Sequence, residues 1–391
     1  MAAYLSSFFS RVSSGTSTVK PSFSSLQPET VQHTQLPSQL YRSEAVYELE
    51  KRAIFNKSWL LICHEKFLID TGKVRHTEIA GLHISVFRTD DGEIHAYHDR
   101  CSKTGKSVIE LEQETELDRL SETGRLATLA CEDCSWSSPD FAHLDEQAHC
   151  LASLRVHIDR NGFIYVNADT SSNGLSWTDQ FGDFDKQDRL DGIDWENYQY
   201  DRSWGLMEVP YNWKVLVDNY NECYHCHCAH PGFRTTTDLT SYKAVGHKGH
   251  IAHYVKSLEP EKPTDGSPKK FAFNFMTPSF SHTITPKYWH IMRILPTSHR
   301  TIDVLYDTFR HKDCTDAEFD DMHSFIVQVV EEDKDLCIGV QKSMEEGVYH
   351  SGPLHPTRES GVIHFQRWYL EQMRKYTQLS STGGEMRVYQ L

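Results

Sequence analysis

The chain has 391 residues, with 40 Lys plus Arg against 55 Asp plus Glu, a formal charge of −15. So acidic a surface repels nucleic-acid phosphates and anionic bilayers, which excludes a general nucleic-acid or lipid-surface role. Mean hydropathy is −0.55 and no apolar run approaches the roughly 20 residues of a membrane-spanning helix, so a soluble, cytoplasmic protein is expected.

Residues 1–40 form a Ser/Thr-rich tail. Leu5, Phe8, Phe9 and Val12 recur there at helical spacing beside Arg11. A disordered tail is the first reading and a mitochondrial presequence the second. From Ser43 the stretch SEAVYELEKRAIFNKSW reads as an amphipathic helix. Alternating segments follow: KVRHTEI, LHISVFRT and EIHAYH, with a hairpin signal at Asp90-Asp91-Gly92, then LRVHI and GFIYVNA turned by Asp159–Gly162. Residues 41–172 therefore read as a small β domain with a leading helix. Residues 173–391 read as a second domain. It has a strand over WENYQYDRSWGLMEV, a helix from about Asn212, and strands over KYWHIMRILP and TIDVLYDTF. A long helix then spans 315–345, with Phe325, Val329, Leu336 and Val340 among its apolar positions.

Ten cysteines and 23 histidines are many, yet too few cysteines for a disulfide scaffold of this length, and no secretory signal precedes them. They cluster, which points to metal chemistry. In YNWKVLVDNYNECYHCHCAHPGF, Glu222 and His225 would share a helix face, whereas His225 and His230, five apart, need a distorted or broken helix end. Two imidazoles and one carboxylate make the facial triad suited to non-haem Fe(II) and O2. The acidic turn Glu331-Glu332-Asp333 is the natural source of the carboxylate. Cys223, Cys226, Cys228 and His227 offer a structural zinc site instead, and buried cysteines also serve as small hydrophobes with no metal. Spacing alone leaves all three readings open.

The segment NWKVLVDNYNECYHCHCAHPGF resembles the iron-binding segment of Rieske-type non-haem iron oxygenases, the ring-hydroxylating oxygenase alpha subunits, and is closest to their choline monooxygenase-like branch. YRSEAVYELEKRAIFNKSWLLICHE, EEDKDLCIGVQKSM and GVYHSGPLHPTRESGVIHFQRWY are similar to further parts of that family, in order. The resemblance implies an α+β protein: an N-terminal Rieske-like antiparallel β domain, then a catalytic domain with a curved antiparallel sheet covered by helices, of helix-grip type. It implies His225, His230 and Asp333, rather than Glu332, as iron ligands. Glu222 would match the family's acidic residue that bridges the iron site to a neighbouring subunit's cluster, in a homotrimer.

The family supplies its Rieske centre as C-x-H and C-x-x-H, two Cys on one iron and two His on the other. Here those positions read Cys101-Ser102-Lys103 and Cys131-Glu132-Asp133-Cys134. Both cysteines of the first iron are present, but Lys103 and Cys134 replace both histidines, and Lys must lose a proton before it can ligate. The expectation is one mononuclear Fe(2+) with the [2Fe–2S] centre lost or altered. Rescue by His98 or His143, or zinc on the three thiolates with a further ligand, is the alternative. The expected activity is mono- or dioxygenation, hydroxylating or demethylating a small organic substrate such as a quaternary ammonium or a secondary metabolite. It would use O2 and electrons from a reductase, a cluster-bearing paralogue or a soluble reductant. Phe271, Phe273, Phe275, Phe280, Tyr288 and Trp289 could form a cation–π cage or merely a sheet core. A non-catalytic structural or regulatory paralogue of an active oxygenase is the second functional reading. Lewis-acid chemistry without redox change is the third.

Overall fold

Period-two stretches of the first half pair into two antiparallel sheets. The structure is a computed structural model and describes residues 34–69, 73–112, 123–131, 134, 136–138, 151–258 and 271–381; residues 1–33 of the expected tail, with its alternative presequence, lie outside them, whereas residues 34–40 are ordered and bury Leu36 and Leu40. Helices α1 (Gln39–Arg42) and α2 (Glu44–Glu50) lead into a π-helical turn over Lys51–Phe55. Ser43 caps α2 by accepting the Val46 N–H. The strands are β1 (Leu60–His64), β2 (Lys73–Ile79), β3 (Leu82–Arg88), β4 (Ile94–His98) and β5 (Ile109–Glu112). After them come β6 (Thr123–Cys131), β7 (Trp136–Ser138), β8 (Ala152–Ser153), β9 (Arg155–Ile158) and β10 (Phe163–Asn167). One sheet runs β1-β10-β9; the other runs β5-β6-β2-β3-β4-β8, with β7 on β6. Both expected turns form. In the second, Asp159 accepts the N–H groups of Asn161 and Phe163, and Gly162 takes φ +90° where a Cβ would meet Glu65 Oε1 at 2.7 Å.

The second half holds α3 (Trp177–Phe181), β11 (Tyr198–Val209), α4 (Trp213–Tyr220), α5 (Cys226–Ala229) and α6 (Phe233–Thr236). Strands β12 (Thr237–His247), β13 (His250–Ser257), β14 (Ala272–Met276), β15 (Phe280–Ile284), β16 (Tyr288–Pro296) and β17 (Ile302–His311) follow. The chain then enters α7 (Asp316–Glu345) and α8 (Ser360–Ser381). Seven antiparallel strands align as β11-β17-β16-β15-β14-β13-β12. Helix α8 packs on β12 and β13 and on α4, and α7 packs on α4. The long helix begins where the sequence places it, because Thr315 and Glu318 form a reciprocal capping box. Its buried residues differ from the expected stripe: Phe319, Cys337, Gln341 and Met344 face inward. Leu336 and Val340 are 38% and 44% exposed. The aromatic candidates for a cation cage also serve another purpose. Phe275, Phe280 and Trp289 are wholly buried, with Trp289 stacked on Phe309 at 3.7 Å, while Phe271 and Phe273 stack on each other.

Two buried charged hubs lock the layers. Glu50, at the end of α2, accepts from Trp213 Nε1 at 2.8 Å, Lys214 Nζ at 2.6 Å and Tyr369 Oη at 2.7 Å. Asp307 on β17 accepts from Arg75 on β2 at 2.9 Å and from Ser203 Oγ at 2.7 Å. Burial alone would raise the Asp307 pKa, but Arg75 and Arg293 hold it below the ordinary carboxylate value.

Breaking a buried pair by removing one partner costs about 3–5 kcal/mol, because the other charge is left without compensation. Glu50→Gln is therefore expected to lower unfolding stability by about that amount in chemical denaturation. A loss within error would show that Lys214 finds another partner. A second expectation concerns pH. Burial holds His64, His250 and His253 down to about 3 and His290 to about 4, against about 6.5 in an unfolded chain. The unfolded state binds these protons first, so stability is complete above about pH 6.5 and falls as pH drops towards the folded values, by up to about 1.4 kcal/mol per pH unit per histidine. Asp159 and Asp218, raised to about 7 by burial, and the raised His225 and His230 act the other way, but the lowered histidines, which also include His282, outnumber them. Denaturation midpoints that stay flat from pH 7 to pH 5 would contradict this.

Candidate metal centre

Helix α4 starts at Trp213 because Asn212 Oδ1 accepts the Lys214 N–H. It is buried along Val215, Leu216 and Val217. It stops at Asn221, whose side-chain amide donates to Val217 O at 2.8 Å, so Glu222 lies just past the helix end. A disulfide joins Cys223 to Cys226 and closes a tight loop around His225. The short α5 follows, with His225 at its N-terminal boundary and His230 at its C-terminal boundary. This is the broken helix that the five-residue spacing requires. At Gly232 a Cβ would sit 2.7 Å from the Phe325 ring on α7, so the absent side chain lets the segment lie against the helix carrying Asp333.

The structure brings His225, His230 and Asp333 to one point. His225 Nε2 and His230 Nε2 are 3.1 Å apart. Asp333 Oδ1 lies 3.3 Å from the first and 3.1 Å from the second. Ligand atoms at right angles, about 2.1–2.2 Å from a shared ion, stand about 3.0–3.1 Å apart. Asp333 Oδ1 is buried without a hydrogen-bond partner, so the two imidazole approaches are short but not aligned as hydrogen bonds. This donor set fits a mononuclear iron with three adjacent positions taken and the opposite face open.

Behind the three atoms stand two more carboxylates. Glu222 Oε1 contacts His225 Nδ1, and Glu332 Oε2 accepts from His230 Nδ1 at 2.8 Å. Each occupies the outer ring nitrogen, so each imidazole turns its Nε2 lone pair inward. Burial alone would lower the His225 pKa, yet Asp333 and Glu222 raise it to about 9. Asp333 and Glu332 likewise raise His230, and the two histidines hold Asp333 low against its burial. Glu332, weighed in the sequence as a competing ligand, thus buttresses a ligand position. Adjacent helix carboxylates point different ways, which is the only signal that could have separated the two. The zinc alternative around Cys223, Cys226, Cys228 and His227 does not assemble: two of the sulfurs are joined to each other, Cys228 is exposed, and His227 is exposed.

Aromatic residues that the sequence reading did not single out lie within electrostatic reach of Asp333. Tyr211, Tyr220 and Tyr306 all feel the Asp333 charge, and burial raises each phenol pKa. Trp204 stacks on Tyr306 at 4.2 Å. They come from β11, a loop, α4 and β17, so no local spacing announces them.

In the first domain, the sulfurs of Cys101, Cys131 and Cys134 lie within 4.8 Å of one another. Lys103 is exposed, and its backbone N–H is 3.4 Å from Cys101 Sγ. Among the described residues no histidine nitrogen joins this group; His98 instead packs its ring against His83, and His143 lies outside the described residues. Burial raises the Cys101 thiol, but the Thr104 hydroxyl and the N–H groups of Lys103 and Thr104 outweigh it and hold the pKa at about 6. This set does not fit a Rieske centre, which needs two imidazoles on its second iron.

Residues 58–134 match the Rieske [2Fe-2S] domain model, and residues 194–375 match the ring hydroxylating alpha subunit catalytic domain. This chain belongs to the Rieske-type non-haem iron oxygenase alpha subunits. It is 28% identical over 240 residues to the carnitine monooxygenase oxygenase subunit of Acinetobacter baumannii, a match covering 58% of this chain and 60% of the relative's length. It is 22% identical to the glycine betaine monooxygenase oxygenase subunit of Pseudomonas aeruginosa strain UCBPP-PA14, covering 86% of this chain and 89% of that one. It is 24% identical to the chloroplastic choline monooxygenase of Beta vulgaris, covering 86% and 77%. The fold is that of the quaternary ammonium Rieske monooxygenase CntA: TM-score 0.72 at 22% identity, over 89% of this chain and 98% of that one. Naphthalene 1,2-dioxygenase from Rhodococcus sp. shares it with TM-score 0.67 at 16% identity, over 87% and 94%.

If Glu222 and Glu332 set the ring orientations, Glu332→Ala should weaken iron(II) binding about 10–100-fold, as loss of an outer partner does elsewhere. Anaerobic iron titration of the metal-free protein checks this, with His225→Ala as the variant expected to bind none. Unchanged affinity in Glu332→Ala would assign His230 another orienting group.

Proposed function

We propose that this chain is a non-haem iron(II) oxygenase that hydroxylates a small quaternary ammonium compound, with His225, His230 and Asp333 as the iron ligands. The observation that carries the reading is the convergence of two inward-facing Nε2 atoms and one unpartnered carboxylate oxygen, each imidazole backed by a carboxylate. Iron bound there supplies open positions for dioxygen chemistry beside the substrate. The protein's own part is orientation and charge. Glu222 and Glu332 fix the rings, and the phenols of Tyr211, Tyr306 and half-buried Tyr220, their pKa values all raised by burial, keep the surroundings uncharged. Such aromatic walls hold a quaternary ammonium by cation–π attraction, and the carnitine, glycine betaine and choline enzymes among the relatives point to the same substrate class.

Monooxygenation balances as R–H plus O2 plus two electrons and two protons giving R–OH and water. The electrons come from outside this chain, from a reductase or a cluster-bearing paralogue, because the histidines of the family's own relay are replaced. No step is assigned to a Rieske centre here. The domain limits 41–172 and 173–391 and a trimeric assembly belong to the same proposal. Lys103 and Cys134 specifically favour a second reading, a non-catalytic subunit that pairs with an active oxygenase. The intact donor set opposes it, since a scaffold has no use for three convergent ligand atoms.

Iron-loaded protein given a reductase system and a panel of carnitine, choline and glycine betaine separates the two. The expected result is substrate-dependent O2 uptake with one ¹⁸O atom from ¹⁸O2 in the product, both abolished in Asp333→Ala. Protein that holds iron but turns over none of the panel with any electron donor would overturn the oxygenase reading in favour of the non-catalytic one.

A further inference from the structure

Three cysteines reach one point in the first domain from two stretches of chain, Cys101 from one and the Cys131–Cys134 stretch from the other. Cys101 follows β4, Cys131 ends β6, and Cys134 sits in the turn before β7. Cys101 and Cys131 are 1% and 4% exposed, inside a small apolar cluster with Val74, Phe87, Tyr97, Val108 and Ile109, and Cys134 packs at its margin. Cys101 Sγ and Cys134 Sγ are 3.5 Å apart, far from the roughly 2.05 Å of a disulfide. All three sulfurs lie within 4.8 Å of one another. A tetrahedral ion with metal–sulfur bonds of about 2.3 Å holds its sulfurs about 3.8 Å apart, which falls inside this range.

The surroundings suit a thiolate-bound ion. Asp99 accepts the N–H groups of Val108 and Ile109 and the Ser107 hydroxyl, which fixes the loop that presents Cys101. The Lys103 N–H points at Cys101 Sγ, as expected of a loop built around a bound sulfur. Simple hydrophobic packing would not require the Cys101 sulfur to face both sulfurs of the Cys131–Cys134 stretch.

We propose that Cys101, Cys131 and Cys134 together bind one thiophilic divalent ion of the zinc class, in the place where the family carries a two-iron centre. Zinc prefers thiolate and four-fold coordination, so the three sulfurs leave one corner for a further ligand. The ion pins the loop after β4 to the β6–β7 turn. Being redox-inactive, it carries no electrons. The inference stands on the cysteine geometry and not on the oxygenase reading, so either can fail without the other.

The test uses the full chain produced with both zinc and iron supplied, and measures zinc, iron and acid-labile sulfide per chain. The expected result is one zinc and no sulfide in the wild type. Zinc should be lost and iron kept in Cys134→Ser, with the converse in His225→Ala. Sulfide accompanied by two extra irons overturns the proposal, as does zinc that survives Cys134→Ser or departs with His225→Ala. A readout on the unaltered protein covers a variant that fails to fold. Cobalt(II) in place of zinc should give a near-ultraviolet thiolate-to-cobalt band, and the three thiols should resist alkylation until a chelator is added. Absence of that band together with unprotected thiols overturns it equally.

Discussion

The fold turns on one buried carboxylate. Glu50 closes the leading helix and receives hydrogen bonds from Trp213, Lys214 and Tyr369, which sit at the start of α4 and in the middle of α8. Lys214 is wholly buried, and its desolvation is offset chiefly by Glu50. A second carboxylate, Asp218, lies one turn further along α4, where Tyr41 Oη and Gln366 Nε2 donate to it. Burial raises its pKa to about 7. Helices α1 and α2 and helix α8 thus clamp α4 from two sides. The direction in which α4 releases the chain at Asn221 follows from that clamp, and with it the position of every donor beyond.

From Asn221 onwards the site is built from short-range constraints. The Cys223–Cys226 loop, the four-residue α5 and the side-chain-free contact at Gly232 leave His225 and His230 little freedom. Glu222 and Glu332 then remove the remaining ambiguity, which is ring orientation. Local geometry sets where the imidazoles are, and the carboxylates set which nitrogen looks inward. Asp333 is delivered from a helix more than a hundred residues away, so the triad exists only once α7 has docked on α4.

The two halves of the molecule have kept different things. The second half retains a full donor set with its outer support. The first half matches the Rieske domain over residues 58–134, with Lys103 and Cys134 at the positions where the family resemblance expects histidines. Backbone contacts such as those to Asp99 hold the loop that presents Cys101, whichever ion the sulfurs take. Coordination chemistry is less forgiving, since a three-sulfur set and a two-sulfur, two-nitrogen set select different ions.

The strands were legible because alternation and turn residues act within a few positions: LHISVFRT, KYWHIMRILP and TIDVLYDTF form strands as written, and Thr315 with Glu318 marks the start of α7. His225, His230 and Asp333, which the family resemblance singled out, are brought together by the fold, and the change at Lys103 and Cys134 is visible in the sequence itself. The burial of α7 was not legible, because Leu336 and Val340 look like core residues until the helix is rotated against its neighbours. Nor were the roles of Glu332 and of Tyr211, Tyr220 and Tyr306, whereas the sheet-core alternative for Trp289 and Phe280, weighed from the sequence, is the one that forms. Sequence determines residue chemistry and local conformation. Which face of a long helix is buried, which of two adjacent carboxylates looks inward and which aromatics surround the site depend on packing between distant segments, and only the tertiary structure decides them.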